Sequence, residues 1–374
     1  MTLSGSPNEY DITTMGDGRE LAGEASTTDN KRRSPGISVL LPVWNEAATI
    51  ATVLDDLARQ TFQDFEVIIV DGGSVDGTVD VVGRCELPVD LVVIEHGRAS
   101  TPEQLNAALA KSRGRFVARV DGHLRLPPEY LETLHGHLLA GYAAVGVRKT
   151  ALGTTRFGRA LAACLNSDAS TGGSAYHHER TVTLVDHVPY AAYDRTLVDQ
   201  LGGWDERLLA NQDAELDQRV RAAGGEILLD GSISTLWLSK NTPRDAWRQY
   251  RRYGRGRAMT ARLHRRSVRP RHVVLAATAV ATPGLVLASV ARRRWGALVL
   301  AHPLLDLVLA VREVRRVAPS RRVDPVGVAL SAFAMYLTQL AWGTSFAAGV
   351  VDPTLLTERG HRRRLRRKQR STYA

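Results

Sequence analysis

Phe116-Val117-Ala118-Arg119-Val120-Asp121-Gly122-His123 is a short, mainly apolar run that ends in a carboxylate, a glycine and an imidazole. A run of this length bounded by turn residues reads as a buried strand, so Asp121 and His123 are expected where a strand meets solvent. Ile37-Ser38-Val39-Leu40-Leu41-Pro42 and Glu66-Val67-Ile68-Ile69-Val70-Asp71 repeat the pattern upstream, each passing into a loop rich in Asn, Asp, Glu, Gly and Ser. Helical stripes separate these runs. Ile50, Val53, Leu54 and Leu57 recur at helical spacing, and Thr101–Lys111 reads as another helix. Strands that alternate with helices predict an α/β fold, a mostly parallel Rossmann-like sheet with helices on both faces and a polar pocket at the carboxyl ends of its strands.

The chain has 374 residues, enough for a core without disulfide staples. Cys85 and Cys164 lack any metal-ligand spacing, which fits a reducing compartment. A formal charge of +10 suggests nucleic acid at first sight, but Arg and Lys crowd into 244–271, 292–294, 312–322 and 359–370, beside apolar runs. Basic residues flanking apolar stretches are expected of cytoplasmic membrane anchors, so a membrane and no nucleic acid is the expected partner. The apolar runs are Val273–Val290, Trp295–Val311 and Val326–Val350, of which the last is long enough to cross a bilayer. Positive-inside bias favours an even number of crossings, with one shorter run re-entrant or interfacial and both chain ends cytoplasmic. The expected organisation is a disordered tail over 1–35, an α/β domain over 36–257, a membrane-associated helical region over 258–353 and a basic tail over 354–374. The α/β domain is expected on the cytoplasmic face of the inner membrane.

The polar groups suit a nucleotide diphosphate linked to a sugar. Asp121 and His123 could supply two protein ligands to a divalent cation, Mn²⁺ or Mg²⁺, with phosphate oxygens and water completing the shell. Asp71, at a strand end, suits a nucleobase or ribose edge. Glu46 and Asp76 could serve the ribose or cap the helices that follow; Arg98 and Asn106 could face diphosphate or sugar, or stay solvated. Sugar transfer with inversion also needs a base for the acceptor hydroxyl, and Asp213 and Glu215 both stand at a loop-to-helix junction. In a helix they point about 200° apart, so only one can face the sugar. Gln249-Tyr250-Arg251-Arg252-Tyr253 joins aromatic and basic residues and suits either pyrophosphate or anionic lipid. No Gly-x-Gly-x-x-Gly follows the first strand, which argues against a dehydrogenase.

As a set, Pro42-Val43-Trp44-Asn45-Glu46, Asp71-Gly72-Gly73-Ser74-Val75-Asp76-Gly77-Thr78, Asp121-Gly122-His123, Asn211-Gln212-Asp213-Ala214-Glu215-Leu216 and Gln249 through Tyr253 resemble the family 2 glycosyltransferases of the GT-A fold. The resemblance spans roughly 36–257 and looks closest to the membrane-attached glucosyltransferases of succinoglycan-type exopolysaccharide synthesis. It implies an inverting transferase using a nucleotide-sugar donor, UDP-linked, and a lipid-linked saccharide or polysaccharide acceptor; a polyprenyl-phosphate glycosyltransferase is the alternative within the class, and a non-catalytic nucleotide- or nucleic-acid-binding protein the alternative outside it. Pro42, Asn45, Gly72, Ser74, Gln212, Glu215 and Tyr253 are expected in the substrate pocket, and by the same resemblance Asp71 contacts the base. Asp121 and His123 serve the metal, Asp213 is the catalytic base, and Gln249 with Arg252 closes over the substrates. Three positions depart from the commoner pattern: His123 for a second Asp, Gln212 for Glu, and Tyr253 for the Trp of processive synthases.

Overall fold

A computed structural model describes residues 34–167, 174–291, 296–317 and 324–357. Most of the expected tail over 1–35, Arg292–Trp295, residues 318–323 of the basic loop and the basic tail from 358 lie outside the described residues. The chain begins β1 (Ile37–Val43), α1 (Ile50–Ala58), β2 (Phe65–Asp71), α2 (Thr78–Val82), β3 (Leu91–Glu95), α3 (Thr101–Lys111) and β4 (Phe116–Arg119). It continues through β5 (Leu124–Arg125), α4 (Tyr130–Leu139), β6 (Ala144–Leu152), α5 (Arg156–Leu165), α6 (Ala175–His178), β7 (Val182–Leu184), β8 (Ala192–Asp194) and α7 (Arg195–Gln200). Then come α8 (Gln212–Ala222), β9 (Ile227–Leu238) and four long helices, α9 (Pro243–Leu263), α10 (Pro270–Ala291), α11 (Gly296–Val317) and α12 (Pro325–Val351).

Among the described residues the strands form one sheet in the order β3-β2-β1-β4-β8-β6-β9-β5, with β7 also paired to β9. β1, β2, β3 and β4 run parallel, as do β6 and β9. β8 enters antiparallel between β4 and β6, and β5 and β7 pair antiparallel with β9. Successive strand residues serve opposite faces. Val39, Leu41, Val67 and Ile69 pack with Ile50, Val53, Leu54 and Leu57 of α1, whereas Leu40, Ile68 and Val70 pack with Leu105 and Ala108 of α3 and Leu216 of α8. Both faces are therefore covered, which is why β1 and β2 read as continuous apolar runs rather than alternating ones.

The parallel strands all bring their carboxyl ends to one edge, and the loops after β1, β2 and β4 meet there. The sheet's second half was not legible from periodicity. β5, β7 and β8 span only two or three residues each, too few to show a pattern, and the β6–β9 register shifts between Val147 and Arg148.

Two helices among the described residues, 270–290 and 325–351, are long and apolar enough to cross a membrane. α11 lies between them and is fastened to α12 by polar groups: His302 Nε2 meets Gln339 Oε1 at 2.5 Å, and Gln339 Nε2 donates to Asp306 Oδ1 at 3.1 Å. α12 also packs on the α/β domain, where the Cys164 thiol of α5 donates to the Ser331 carbonyl at 3.2 Å. The tightest seam is between α9 and α12. A Cβ on Gly254 would collide with the Trp342 carbonyl oxygen, and one on Gly349 would lie 2.6 Å from the Ala258 methyl. Small residues there let two helix backbones approach closely.

Backbone cannot yield as a flexible side chain can, so Gly254→Leu should destabilise the protein by about 3 kcal/mol, the upper end of overpacking costs. A thermal melt of the detergent-solubilised chain checks this, with Gly284→Leu, which faces open space, as the control expected to melt near wild type.

Candidate functional site

The loops after β1 and β2 are stitched together by their own side chains. The Asn45 N–H donates to Ser74 Oγ at 2.8 Å, and Val75 N–H returns to Asn45 Oδ1 at 2.9 Å. Glu46 N–H donates to Thr78 Oγ1 at 2.9 Å and Ala47 N–H to Asp76 Oδ2 at 3.0 Å. Asn45 adopts φ +55°, a conformation that Asn tolerates better than most residues. Gly72 sits in a tight place: a Cβ there would meet the end of the Gln104 side chain and lie 3.0 Å from the Ala99 carbonyl oxygen. Asp71 is only 4% exposed and accepts from the Gly73 and Ser74 N–H groups. Pro42 is buried in β1. Burial pushes the Asp76 carboxyl up, but hydrogen bonds from Thr78 and Ala47 outweigh it and hold the group low. Asn45, Ser74 and Asp76 thus spend these polar atoms on shaping the loops.

A second network lies at the end of β4. Arg119, the last residue of that strand and 5% exposed, grips Asp121 with two donors, Nε to Oδ1 at 2.8 Å and Nη2 to Oδ2 at 3.1 Å. Its third donor, Nη1, reaches Asp213 Oδ1 at 2.6 Å. Burial alone would raise the Asp121 carboxyl, yet the Arg119 charge, with His123 and Lys149 nearby, holds it below the usual carboxylate range. His123 Nδ1 meets Glu46 Oε1 at 2.8 Å, and Thr49 Oγ1 donates to the other Glu46 oxygen at 2.9 Å. Burial works against the charged His123 imidazole; the Glu46 hydrogen bond and the Asp121 charge win and raise its pKa.

The donor chemistry can be tested for a metal. A carboxylate on one nitrogen of an imidazole is the usual device for presenting the other nitrogen to a cation, and Glu46 holds His123 in that way. Among the described residues no group of three or more His, Cys, Asp and Glu is suited to a metal. Both Asp121 oxygens already accept from Arg119, so any cation here would have to use their remaining lone pairs with His123 and take its other ligands from a bound diphosphate and not from a cage supplied by protein alone.

Lys149 of β6 closes the floor of the crevice. Its ammonium lies 4.5 Å from the Tyr190 ring centre and 4.1 Å from that of Trp237, and donates to the Tyr190 hydroxyl at 3.2 Å. Burial pulls its pKa down to about 8, against the opposing charges of Asp121 and Asp213. Tyr190 holds φ +56°, a strained value for an aromatic residue, and its ring also lies 5.2 Å from the Arg119 guanidinium. Its phenol is pushed well above the ordinary value by burial, then by Asp121 and the neighbouring Tyr253. Tyr253 accepts from Gln249 Nε2 at 2.9 Å, while Gln249 Oε1 is buried and makes no hydrogen bond among the described residues.

Arg119, Lys149, Tyr190 and Trp237 went unnoticed in the sequence. Arg119 carried a signal, since a cation inside an otherwise apolar strand demands a buried partner. The others are single residues whose partners are set by the fold. Of the anticipated residues, Glu46, Asp121, His123 and Asp213 are joined through the contacts around Arg119 and His123. Gln212 is buried in the first turn of α8. Glu215 points elsewhere, gripped by Arg219 at 2.9 and 2.6 Å and by His264 Nε2 at 2.8 Å. Asn106 uses its amide to hold the loop after α7, accepting from the Trp204 N–H at 2.8 Å and donating to the Trp204 carbonyl at 2.9 Å. Arg98 is exposed and makes no ion pair with a described residue; Arg252 is exposed beside its own neighbour Tyr253.

Residues 38–202 match the family described as glycosyl transferase family 2. The succinoglycan biosynthesis protein ExoA of Rhizobium meliloti is 28% identical over 319 residues, covering 84% of this chain and 94% of that protein. The probable glycosyltransferase YdaM of Bacillus subtilis is 26% identical over 246 residues, covering 61% of this chain and 56% of its own length. Among solved structures, a mannosyltransferase from Pyrobaculum calidifontis, in complex with GDP-mannose and Mn²⁺, superposes with a TM-score of 0.50 at 18% identity, covering 88% of this chain and 91% of its own. That likeness is one of fold.

Glu215 is 3% exposed and bound to Arg219 and His264, so Glu215→Ala leaves the Arg219 guanidinium without its carboxylate and His264 Nε2 without its partner. The expected cost is about 3 kcal/mol of stability, the scale for breaking a buried pair. Chemical denaturation checks it, and binding of a nucleotide diphosphate at permissive temperature should be unchanged.

Proposed function

We propose that this chain, a glycosyltransferase whose residues 38–202 match family 2 and which is related to enzymes of exopolysaccharide biosynthesis, moves a hexose, glucose in our reading, from a uridine diphosphate donor to a lipid-linked saccharide or polysaccharide with inversion at the transferred carbon. The observation that carries the reading is the Arg119 bridge, which sets Asp121 and Asp213 on either side of one guanidinium. A single displacement needs that division: a leaving diphosphate on one side of the sugar and an acceptor hydroxyl on the other.

Asp71 would meet the base. Its carboxylate already accepts from Gly73 and Ser74, and an ionised carboxylate has about four lone-pair directions, so it can take one more donor. A divalent cation, when bound, neutralises charge on the departing diphosphate, and Asp121 and His123 would hold it; the neighbouring mannosyltransferase complex with Mn²⁺ supports this. Asp213 takes the acceptor proton as the acceptor oxygen bonds to the sugar carbon and the carbon–phosphate-oxygen bond breaks. The carboxylate stands in the first turn of α8. Gln249, with an unused buried oxygen, and Tyr253 border the acceptor side. α9, which carries these two residues, packs through Gly254 against α12, a helix fit to cross a membrane, which supports an acceptor carried on lipid. That same placement is what favours the second reading, transfer to a polyprenyl phosphate itself.

We place the domain on the cytoplasmic face of the inner membrane, with α10 and α12 as crossings. α11 carries His302, Pro303 and a 1% exposed Asp306, which suits a re-entrant or interfacial helix. The basic clusters then meet lipid, not nucleic acid.

Asp213→Asn should keep donor binding and lose turnover by about a hundredfold or more. Excess chelator should abolish transfer, and Mn²⁺ should restore it at least as well as Mg²⁺, since imidazole suits the softer ion. Membranes incubated with a panel of radiolabelled nucleotide-sugars, followed by lipid extraction, measure both. No label from any donor in lipid or polymer would reject the reading. A reporter fused after Ala374 should report cytoplasm; a periplasmic signal would mean an odd number of crossings.

A further inference from the structure

Asp213 makes its hydrogen bond through one oxygen only. Oδ1 accepts from Arg119 Nη1 at 2.6 Å, whereas Oδ2 has no hydrogen-bond partner among the described residues. The donor is itself immobile. Arg119 is buried, its Nε and Nη2 are spent on Asp121, its ring-facing side lies against Tyr190, and its backbone N–H donates to the Ala191 carbonyl at 3.2 Å. A guanidinium is planar and presents its donors in a rigid fork, so fixing two of them on Asp121 fixes the direction of the third. We propose that Arg119 is the positioning residue of the transfer reaction: it selects Oδ2 of Asp213 as the atom that meets the acceptor hydroxyl, and locks it in register with the diphosphate side of the site through Asp121. This rests on the reading of Asp213 as the base.

The alternative for Arg119 is plain neutralisation of two buried carboxylates. A lysine would serve that purpose nearly as well, because an ammonium carries the same charge. It would not serve positioning, because its three donors sit on one rotating nitrogen, whereas Arg119 holds its two carboxylates from three separate nitrogens in a rigid plane. Lys149 already contributes a second positive charge nearby, so charge balance alone does not call for a fork at position 119.

The test uses the full-length chain in membranes or detergent, with Arg119→Lys, Arg119→Gln, Asp213→Asn and the Arg119→Lys/Asp213→Asn double variant. Folding is followed by thermal melt, and sugar transfer by single-turnover and steady-state assays. Arg119→Lys should fold yet lose about a hundredfold in kcat, the scale of a misplaced catalytic group, while KM for the donor moves by less than about fivefold. In the Asp213→Asn background the same Lys substitution should change the residual rate by less than about threefold, since its effect runs through a base that is no longer there. Equal losses from Arg119→Lys in the two backgrounds would overturn the proposal while leaving Asp213 as the base. Near-normal turnover by Asp213→Asn would overturn the base assignment and the proposal with it. Near-normal kcat in Arg119→Lys would reduce the residue to charge balance, and failure of both Arg119 variants to fold would make it a residue of the fold; either result overturns the positioning role.

Discussion

Two carboxylates drawn together in a largely buried crevice repel one another unless a cation stands between them. Asp121 and Asp213 are such a pair, and the chain meets the constraint with one guanidinium at the end of a central strand. Much else follows from seating that group. β8 inserts beside β4 so that the Ala191 carbonyl caps the Arg119 N–H, and Tyr190 takes a strained backbone conformation that lays its ring by the charge. Lys149 adds a second cation from β6, shielded by Tyr190 and Trp237. The cost of burying these charges is met only because each has a partner with good geometry.

The crevice owes its rigidity to a division among polar residues. Some face inward with atoms to spare, such as Gln249 Oε1 and Asp213 Oδ2. Others that resemble ligand-binding groups in sequence act as fasteners between loops: Asn45 with Ser74, Asp76 with Ala47 and Thr78, Asn106 with Trp204. Loops tied by side-chain hydrogen bonds present their backbone at the strand ends in one arrangement.

Attachment of α9 to α12 links this crevice to the apolar helices. α9 begins beside the sheet, carries Gln249 and Tyr253 near Tyr190, and continues to the Gly254 contact with Trp342. A helix that shares one face with a catalytic crevice and another with a membrane-competent helix leaves little freedom between the two regions.

The first half of the sheet was readable directly, because β1, β2 and β4 are buried on both faces and their side chains declare it as unbroken apolar runs, with α1 and α3 marked by helical spacing. The same reading located Asp71, Asp121, His123 and the Asp213–Glu215 pair at strand ends and a helix start, since local position decides which chemistry can reach a strand-end crevice. It could not rank Asp213 over Glu215 without the resemblance, nor foresee Lys149, Tyr190 and Trp237, nor separate fasteners from ligand groups. Those distinctions depend on contacts between residues far apart in the chain: Arg119 to Asp213 across 94 positions, Asn106 to Trp204 across 98. Periodicity reports only which face of an element is buried; which charge meets which, and which oxygen is left over, is decided when the strands close into a sheet.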